Sequence, residues 1–221
     1  IAIGKDAASS ANNAVVIGKS ATALKNNERY DLNVGTATSN ADSAVVIGNS
    51  ATSKQARTVA IGNEAQTLHT SAIAIGDKAY SNGARGIAIG RNAQSKGNNS
   101  IALGSGDQND GKKTTADKDY AVAIGSDAVA NIANGIALGS ESKTTATSAS
   151  GQSGFDASQE AEGVRKNKYN GLTGKNLTSN LAGLSIGNDS KTRQINHLAA
   201  GKADDDAVNV AQLKSVNLAF K

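Results

Sequence analysis

A four-residue hydrophobic phrase that ends in glycine recurs along the chain. Residues 59–62 read VAIG, and similar phrases end at Gly76, Gly90 and Gly104, so that four successive glycines lie 14 residues apart. Further copies end at Gly4, Gly18, Gly48, Gly125, Gly139 and Gly187. A fixed period of this kind predicts a solenoid, in which every repeat forms one coil that stacks on the next.

Within the phrase, the residues one and three positions before the glycine are Ile, Val or Leu, as at Ile61 and Val59. Residues two apart on a strand point to the same face, and β-branched side chains favour buried strands. We therefore expect this pair to point into the coil, with Ile61, Ile75 and Ile89 stacked as an internal ladder.

The residue between that pair is also apolar, and it is Ala or Val in nine copies. A strand that is apolar on both faces is predicted to be buried on both sides. A long exposed apolar face is not stable in a soluble monomer, so we expect the intermediate residue to contact another copy of the chain. The predicted interface, which by itself does not fix the number of chains, comprises Ala2, Val16, Val46, Ala60, Ala74, Ala88, Ala102, Ala123 and Ala137.

A second strand is predicted after the glycine. Two polar residues follow it and indicate a turn, because glycine tolerates positive φ. Small residues then stand three and five positions past the glycine, as at Ala65 and Thr67, and predict a strand with a small inner face. A second turn completes the coil. About ten coils stacked roughly 4.8 Å apart would form a rod of about 50 Å.

Three stretches break the period. The step from Gly18 to Gly48 is 30 residues, and residues 32–35 (LNVG) resemble a degraded copy of the phrase. The segment from Gly106 to Tyr120 holds about seven extra residues, and residues 140–183 leave the pattern. Insertions in solenoids form loops on one face and often carry binding, and tolerated surface decoration is the alternative.

The last segment has the pattern of a short helix. Three acids at 204–206 precede an apolar run, and acids favour a helix N-terminus. Asn209 and Gln212 have the spacing of a capping box. The apolar residues Val210, Leu213, Val216 and Phe220 then form one stripe, which fits either a coiled coil or a short terminal helix.

Composition and charge narrow the function. Cys is absent, which excludes a disulfide scaffold and Cys-based metal sites, and there is no apolar run of about 18 residues. The net charge is +4, but Lys and Arg are mixed with Asp and Glu, so we expect a solvated surface and no nucleic-acid partner. The chain lacks an initiator Met and a leader, so we expect it to be part of a longer precursor.

The phrase [IV]-[AV]-[IL]-G-x-x-A at period 14 resembles the head of trimeric autotransporter adhesins of the YadA type. Residues 193–213, above all DAVNVAQL from Asp206, resemble the neck of that family. The neck positions that carry the resemblance are Asp206, Ala207, Val208, Asn209, Gln212 and Leu213. The resemblance implies an all-β fold, a left-handed parallel β-roll that forms a homotrimer. Residues 1–183 would form the head, with an irregular insertion at about 140–183. Residues 184–212 would form the last roll strand and the neck, and residues 213–221 the start of a coiled-coil stalk.

The same resemblance implies an adhesin that is exposed on the bacterial outer membrane, to which a missing C-terminal anchor would attach it. Its partners would be host collagen, fibronectin or laminin, or a cell-surface receptor of the carcinoembryonic-antigen-related type. The alternative is a structural fibre spacer without a specific ligand.

An enzyme is a third class to consider, since left-handed β-helix acyltransferases also repeat a short glycine phrase. Their unit is a hexapeptide and they use a catalytic His. The period here is 14, His69 falls in a variable turn, and His197 lies in the neck without a carboxylate motif. No Ser-His-Asp spacing, HExxH or P-loop is present. We expect no catalytic site, no metal and no cofactor.

Large side chains mark the candidate ligand-binding positions, because protein recognition commonly anchors on aromatic residues and Arg. A protein receptor is expected to contact the insertions, whereas a collagen-like ligand is expected to lie across the regular coils around Tyr80 and Gln94. The candidates in the irregular segments are Leu24, Arg29, Tyr30, Tyr120, Phe155 and Tyr169.

Overall fold

Short strands alternate with tight turns along the chain. The computed structural model describes residues 1–9, 11–23, 42–106, 111–145, 149–154 and 174–218. The phrase strands form one sheet of ten parallel strands: β1 (Ala2–Ile3), β3 (Val15–Ile17), β5 (Val45–Ile47), β7 (Val59–Ile61), β9 (Ile73–Ile75), β11 (Ile87–Ile89), β13 (Ile101–Leu103), β15 (Val122–Ile124), β17 (Ile136–Leu138) and β18 (Leu184–Ser185).

The strands that follow the first turn form a second sheet of eight parallel strands: β2 (Ala8–Ser9), β4 (Thr22–Ala23), β6 (Thr52–Ser53), β8 (Gln66–Thr67), β10 (Tyr80–Ser81), β12 (Gln94–Ser95), β14 (Thr115–Ala116) and β16 (Val129–Ala130). Consecutive coils stack in register, with Ala60 opposite Ala74 and Tyr80 opposite Gln94. The two-strand coil with 14-residue steps, predicted from the repeat, is confirmed, although its strands are two or three residues long where about five were expected.

The faces of the first strand are the reverse of those predicted. Ala60, Ala74 and Ala88 are fully buried inside a single chain, whereas Ile61 and Ile75 lie half-buried on the outer face. The interior between the two sheets is filled by small side chains, and Val16 and Val46 are the largest that the described interior holds. A coil this thin has no room for Ile from the first strand, so Ile points outward.

The predicted chain–chain contact is wrong for the same reason. Residues that are fully buried within one chain have no surface left for a partner. Of the nine predicted interface residues, only Ala2 is exposed, in the first coil of the stack. The eight that lie in the interior are Val16, Val46, Ala60, Ala74, Ala88, Ala102, Ala123 and Ala137.

The inner face of the second strand agrees with the prediction. Ala65 and Thr67 are fully buried, as are their counterparts in the neighbouring coils. Several interior positions are hydroxyls that bond to each other or to the backbone. The Oγ atoms of Ser95 and Ser100 lie 2.7 Å apart, and the Ser81 Oγ donates to the Gly86 carbonyl at 3.0 Å. The core is therefore narrow and partly polar.

The glycine of each phrase is required by the stacking. Gly76 has a φ of 129°, and a Cβ added there would lie 2.7 Å from the carbonyl carbon of Gly90 in the next coil. The residue two positions after the glycine also has a positive φ, as at Lys78 with a φ of 55°. The first predicted turn is confirmed.

The described strands on either side of the first two insertions pair directly with each other. β3 pairs directly with β5, and β4 pairs directly with β6, so the stack has no place for a coil built from residues 32–35. The degraded copy of the phrase at 32–35 falls within residues 24–41, which lie outside the described part. β12 pairs directly with β14, which places the seven extra residues of the second insertion at 107–113, between Gly106 and Thr114.

The C-terminal segment begins with β18, which pairs with β17. A short 3-10 helix at Gly174–Asn176 precedes it, and helix α1 (Val210–Leu218) ends the described chain. The predicted capping box is confirmed. The backbone N–H of Gln212 donates to the Asn209 Oδ1 at 3.0 Å, and the backbone N–H of Asn209 donates to the Gln212 Oε1 at 3.1 Å. The first turn of α1 contains no acid. The Asp206 carboxylate instead accepts hydrogen bonds from the backbone N–H groups of Lys202 and Ala203. The prediction that these acids lie at the N-terminus of the helix is therefore wrong.

The Arg193 guanidinium closes the last coil. It donates to the Ser142 Oγ at 2.9 Å and to the carbonyls of Ser140 and Ile186, and it lies over Gly139 at 3.0 Å from where a Cβ would be. A further coil would otherwise cover these groups, so this segment caps the solenoid. Among the described residues, α1 is the only α-helix, and its nine residues are too few to cross a bilayer.

Candidate ligand-binding groove

The outer face of the eight-stranded sheet presents one residue from each coil. These residues stand four positions past the glycine, or 11 where the second insertion intervenes, and the strand alternation turns them away from the interior. In neighbouring coils they lie side by side, half-buried and in register. The row runs through Gln66, Tyr80, Gln94, Thr115 and Val129, and Lys143 continues it by a parallel bridge to Val129.

An open groove follows this row. Its larger part has a volume of about 740 Å³ and lies over Gln94, Thr115, Val129 and Lys143. A smaller part of about 290 Å³ lies over Gln66, Tyr80 and Gln94. Gln94 and Lys113 line both parts, so they form one strip along the stack. A long ligand can lie in it parallel to the axis of the roll.

The second insertion forms one wall of the groove. The Gly106 amide keeps the regular bond to the preceding coil, and the Thr114 Oγ1 donates to the Gly125 carbonyl at 2.8 Å, so the stack is restored on both sides of the extra residues. The described end of the insertion, residues 111–113, lines the larger part of the groove. The extra residues therefore bring Lys112 and Lys113 to a face that the other coils leave open.

Charged side chains are distributed unevenly along the groove. The smaller part has Glu64 and Lys78 among amides, together with Lys113. The larger part is lined by four lysines and three carboxylates: Lys96, Lys112, Lys113, Lys143, Asp127, Glu141 and Asp189.

Two ion pairs reduce the number of available charges. Lys96 binds Asp117 at 2.8 Å, and Lys191 binds Glu141 from outside the groove lining. The hydrogen bond and the charge of Lys191 lower the pKa of the exposed Glu141 carboxyl below its usual value of 4.5. Within the described ranges, no ion pair involves Lys113 or Lys143.

The structure brings together two of the predicted ligand-binding residues and separates a third. Tyr80 and Gln94 are adjacent in the groove. Tyr120 lies in the second turn of its coil, outside the groove lining, with a φ of 59° and a side chain 58% exposed. The predicted positions Leu24, Arg29, Tyr30, Phe155 and Tyr169 lie outside the described residues.

Sequence reasoning missed the lysines of the groove. Lys112 and Lys113 stand in the insertion that the broken period reveals, but lysine is not among the residue types on which protein recognition commonly anchors. Lys143 follows the last regular glycine at the same offset as Tyr80 and Gln94, so the repeat alone assigns it to the same row. Among the described residues, no cluster of three or more metal-ligating side chains is present.

The outer face of the ten-stranded sheet is a second distinctive surface. Two columns of Ile, Val and Leu run along it, from the positions one and three before the glycine. Leu103 and Leu138 are each 42% exposed in the single chain. Leu213 in α1 is 66% exposed, and Val210 and Val216 are exposed beside it. Contiguous apolar surface of this kind marks a protein contact.

Comparison with known proteins agrees with the parallel roll and its glycine columns. The family model of the YadA head domain repeat matches residues 39–65, 70–93, 81–106 and 116–142. The collagen-binding domain of the Yersinia adhesin YadA aligns with 30% identity and a TM-score of 0.54, over 80% of this chain and 75% of that one. The fold and repeats are thus those of an adhesin head. The chain belongs to the YadA-type family of trimeric autotransporter adhesin heads, and its fold is the β-roll of that family.

Two further comparisons add little to that assignment. The C-terminal YadA-like domain of BPSL2063 from Burkholderia pseudomallei aligns with 20% identity and a TM-score of 0.31, over 72% of this chain and 49% of that one. No curated protein sequence matches the chain significantly.

Proposed function

We propose that this chain is the head of a bacterial surface adhesin and that its outer groove binds a collagen-like host matrix protein. The observation that carries the proposal is the in-register row of Tyr80 and Gln94 in an open groove along the roll. The likeness to a domain described as collagen-binding supports it. The head would be displayed outside the cell, carried by a stalk and an outer-membrane anchor.

The chemistry of the groove suits a collagen-like rod. A triple helix presents prolyl rings and backbone carbonyls along its length. The Tyr80 ring offers an apolar face to the former, and the Gln66 and Gln94 amides can donate hydrogen bonds to the latter. The four strand steps from Tyr80 to Lys143 span about 19 Å. One ligand could therefore contact every residue of the row.

We further propose that the head is a homotrimer that buries the two Ile and Val columns on the outer face of the ten-stranded sheet. The exposure of Leu103 and Leu138 in the single chain supports this assignment. The stripe of Val210, Leu213 and Val216 on α1 would meet its counterparts as the start of a three-stranded coiled coil. These contacts replace the alanine interface predicted from sequence.

Binding to immobilised collagen by the full 221-residue chain tests the proposal. Tyr80→Ala combined with Gln94→Ala should weaken collagen binding about tenfold or more, because one buried aromatic anchor commonly contributes 2 kcal/mol or more. Tyr120→Ala is the matched control, since it removes another tyrosine outside the groove. If the double variant binds collagen as the native chain does, the groove is not the site.

A protein receptor is the second candidate ligand, because Tyr120 is a large and well-exposed aromatic side chain. Carcinoembryonic-antigen-related receptors, fibronectin and laminin are the probes for this activity. Tyr120→Ala should weaken such a receptor and spare collagen, which is the opposite of the expected behaviour of the Tyr80 variant. If the native head binds none of these proteins, a structural spacer without a ligand is the better interpretation.

A further inference from the structure

A column of residues with positive φ runs along the second-turn edge of the roll. Each of them stands two positions before a strand of the ten-stranded sheet, and those strands pair in register, so neighbouring members of the column lie about 4.8 Å apart. The members that the structure describes are Asn13, Ser43, Arg57, Ser71, Arg85, Asn99, Tyr120 and Asn134. Tyr120 is the only aromatic residue among these eight.

Tyr120 occupies a backbone conformation that aromatic residues rarely adopt. Its φ is 59°, in the left-handed region, where Asn is enriched and a bulky residue is an outlier. Outliers of this kind concentrate at ligand-binding sites. The side chain is 58% exposed, so packing within the chain offsets only part of the strain. An aromatic ring held at the surface here is better explained by a ligand than by the fold.

Side chains that form hydrogen bonds flank Tyr120. Asn99 and Asn134 are its neighbours in the column, and Asp119 precedes it. The Asp119 Oδ1 accepts a backbone N–H from the preceding coil at 2.8 Å, which fixes the carboxylate. The Asn99 Oδ1 accepts a hydrogen bond from the Arg85 Nε at 2.7 Å, which leaves its Nδ2 as a donor. Asn134 and Asp119 are exposed, so the Asn134 amide and the second Asp119 oxygen can reach a ligand.

We propose that Tyr120, Asn99, Asn134 and Asp119 bind a pyranose ring of an oligosaccharide. The C–H face of such a ring is apolar and packs on an aromatic side chain. Each sugar hydroxyl both donates and accepts hydrogen bonds, so the amides on either side of Tyr120 and the carboxylate beside it complement it. Recognition comes from the ring face and the hydroxyls, so an uncharged sugar suffices. The site lies outside the groove lining and is separate from the proposed collagen site.

The surroundings of Tyr120 favour a sugar over a protein partner. The aromatic anchor of a protein interface is typically enclosed by contacts that exclude water. The residues that flank and precede Tyr120 are instead polar, and two of them, Asn134 and Asp119, are exposed. A protein surface would have to remove water from these groups, whereas sugar hydroxyls reproduce the hydrogen bonds of the water that they displace.

Binding of free oligosaccharides to the full 221-residue chain tests the site. The probes are lactose, maltotriose, mannotriose and chitotriose, which present galactose, glucose, mannose and N-acetylglucosamine, and saturation-transfer NMR detects the binding of each. The native chain should bind at least one of them. Tyr120→Ala should abolish that binding, and Tyr120→Phe should retain it because the ring face remains. Tyr80→Ala is the matched control, since it removes a tyrosine of the groove, and it should bind the sugar as the native chain does.

A second variant tests the flanking amide. Asn134→Ser removes the amide group, and the column already contains serine at positive φ in Ser43 and Ser71. The substitution should weaken sugar binding about two- to tenfold, as expected for the loss of one net hydrogen bond. Circular dichroism and thermal unfolding establish that each variant retains the native fold.

Three outcomes would overturn the inference. The native chain could bind none of the four sugars, or Tyr120→Ala could bind them as the native chain does. Laminin could also bind through Tyr120 after enzymatic removal of its glycans, with no displacement by any of the sugars, in which case Tyr120 anchors a protein receptor. Each of these outcomes leaves the proposed collagen groove untouched, because its own variants are measured on collagen.

Discussion

Ala74 and Ile75 are neighbours in β9 and point to opposite faces of the sheet. Ala74 is fully buried inside one chain, and Ile75 lies half-buried on the outer face. The same division holds in the stacked strands on either side, where Ala60 and Ala88 pair with Ala74. The interior of the roll is therefore narrow and filled by small side chains, and its outer face is apolar. The small residues stabilise the fold of one chain, whereas the larger ones remain available for contact with another chain.

This division predicts different effects for substitutions at the two neighbours. Ala74→Leu adds three carbons to a filled interior and should lower the free energy of unfolding by about 1–3 kcal/mol or more. Ile75→Lys should leave the coil folded and disrupt the oligomer, because it places a charge in a proposed chain–chain contact. Thermal unfolding and light scattering measure the two effects.

Ile75→Leu is the control for the second substitution, and it should remain oligomeric. The assignment of faces would be contradicted if Ile75→Lys had the same oligomeric mass as the native chain and Ala74→Leu had the same unfolding temperature as the native chain. A native chain that is monomeric and well folded would contradict the proposed oligomer itself.

The glycine column predicts a second difference. Gly76→Ala should destabilise the roll by more than about 1–3 kcal/mol, because its φ of 129° is unfavourable for a side chain and the added Cβ would lie 2.7 Å from the backbone of Gly90. Gly111→Ala is the matched control. Gly111 also has a positive φ, 71°, but no atom of the described residues lies within 4 Å of an added Cβ, so only a loss of about 1 kcal/mol is expected.

Urea unfolding of both variants measures the difference between the two sites. If Gly76→Ala cost no more than Gly111→Ala, the close approach of successive coils would not be what requires glycine in the phrase.

The repeat predicted the coil, its two turns and the family, because period and glycine position depend only on spacing along the chain. It failed on the faces because we assigned the larger residues of the phrase to the interior. The sequence did contain a contrary signal: Ala60 and Ala65 are both small, and two small columns facing each other fit a thin core. Volume matching between the two strands would have placed Ala60 inside.

The groove was predictable only in part. Tyr80 and Gln94 have the same offset from their glycines, so the period alone makes them neighbours. The position of Lys113 depends on the path of the insertion, which no period determines. The ion pair of Glu141 with Lys191 joins residues 50 apart in sequence and follows from the way the C-terminal segment caps the last coil.

The hydrogen bonding of two interior threonines predicts opposite effects on stability when each is replaced by valine. The Thr67 Oγ1 is buried and has no hydrogen-bond partner among the described residues, whereas the Thr114 Oγ1 donates to the Gly125 carbonyl at 2.8 Å. Thr67→Val keeps the shape and removes the unpaired hydroxyl, so it should stabilise the chain by about 1 kcal/mol. Thr114→Val removes a satisfied hydroxyl and should destabilise it by about as much.

Denaturant midpoints of the two valine variants check this prediction. Equal shifts of the same sign would show that the Thr67 hydroxyl is satisfied in solution, for instance by a bound water molecule.

The contact between the last coil and the segment that caps it predicts a dependence on pH. Lys191 holds the pKa of Glu141 below 4.5, mainly through their hydrogen bond and then through its charge. Since the native pKa is depressed, the pair stabilises the docked segment above the ordinary pKa of 4.5, and this contribution is lost as the pH falls through the native value. Glu141 is exposed, so the effect should be small and local.

Hydrogen exchange of the amides that join the two segments measures this loss. The Lys143 amide, which donates to the Gly187 carbonyl at 2.7 Å, should lose protection as the pH falls below 4.5 and through the lowered native pKa of Glu141, after correction for intrinsic exchange rates. Glu141→Gln keeps the backbone contacts and removes the titrating group, so its Lys143 amide should show reduced protection at pH 5 and little further change on acidification. If native chain and variant lost protection in parallel, another group would be responsible for the acid sensitivity.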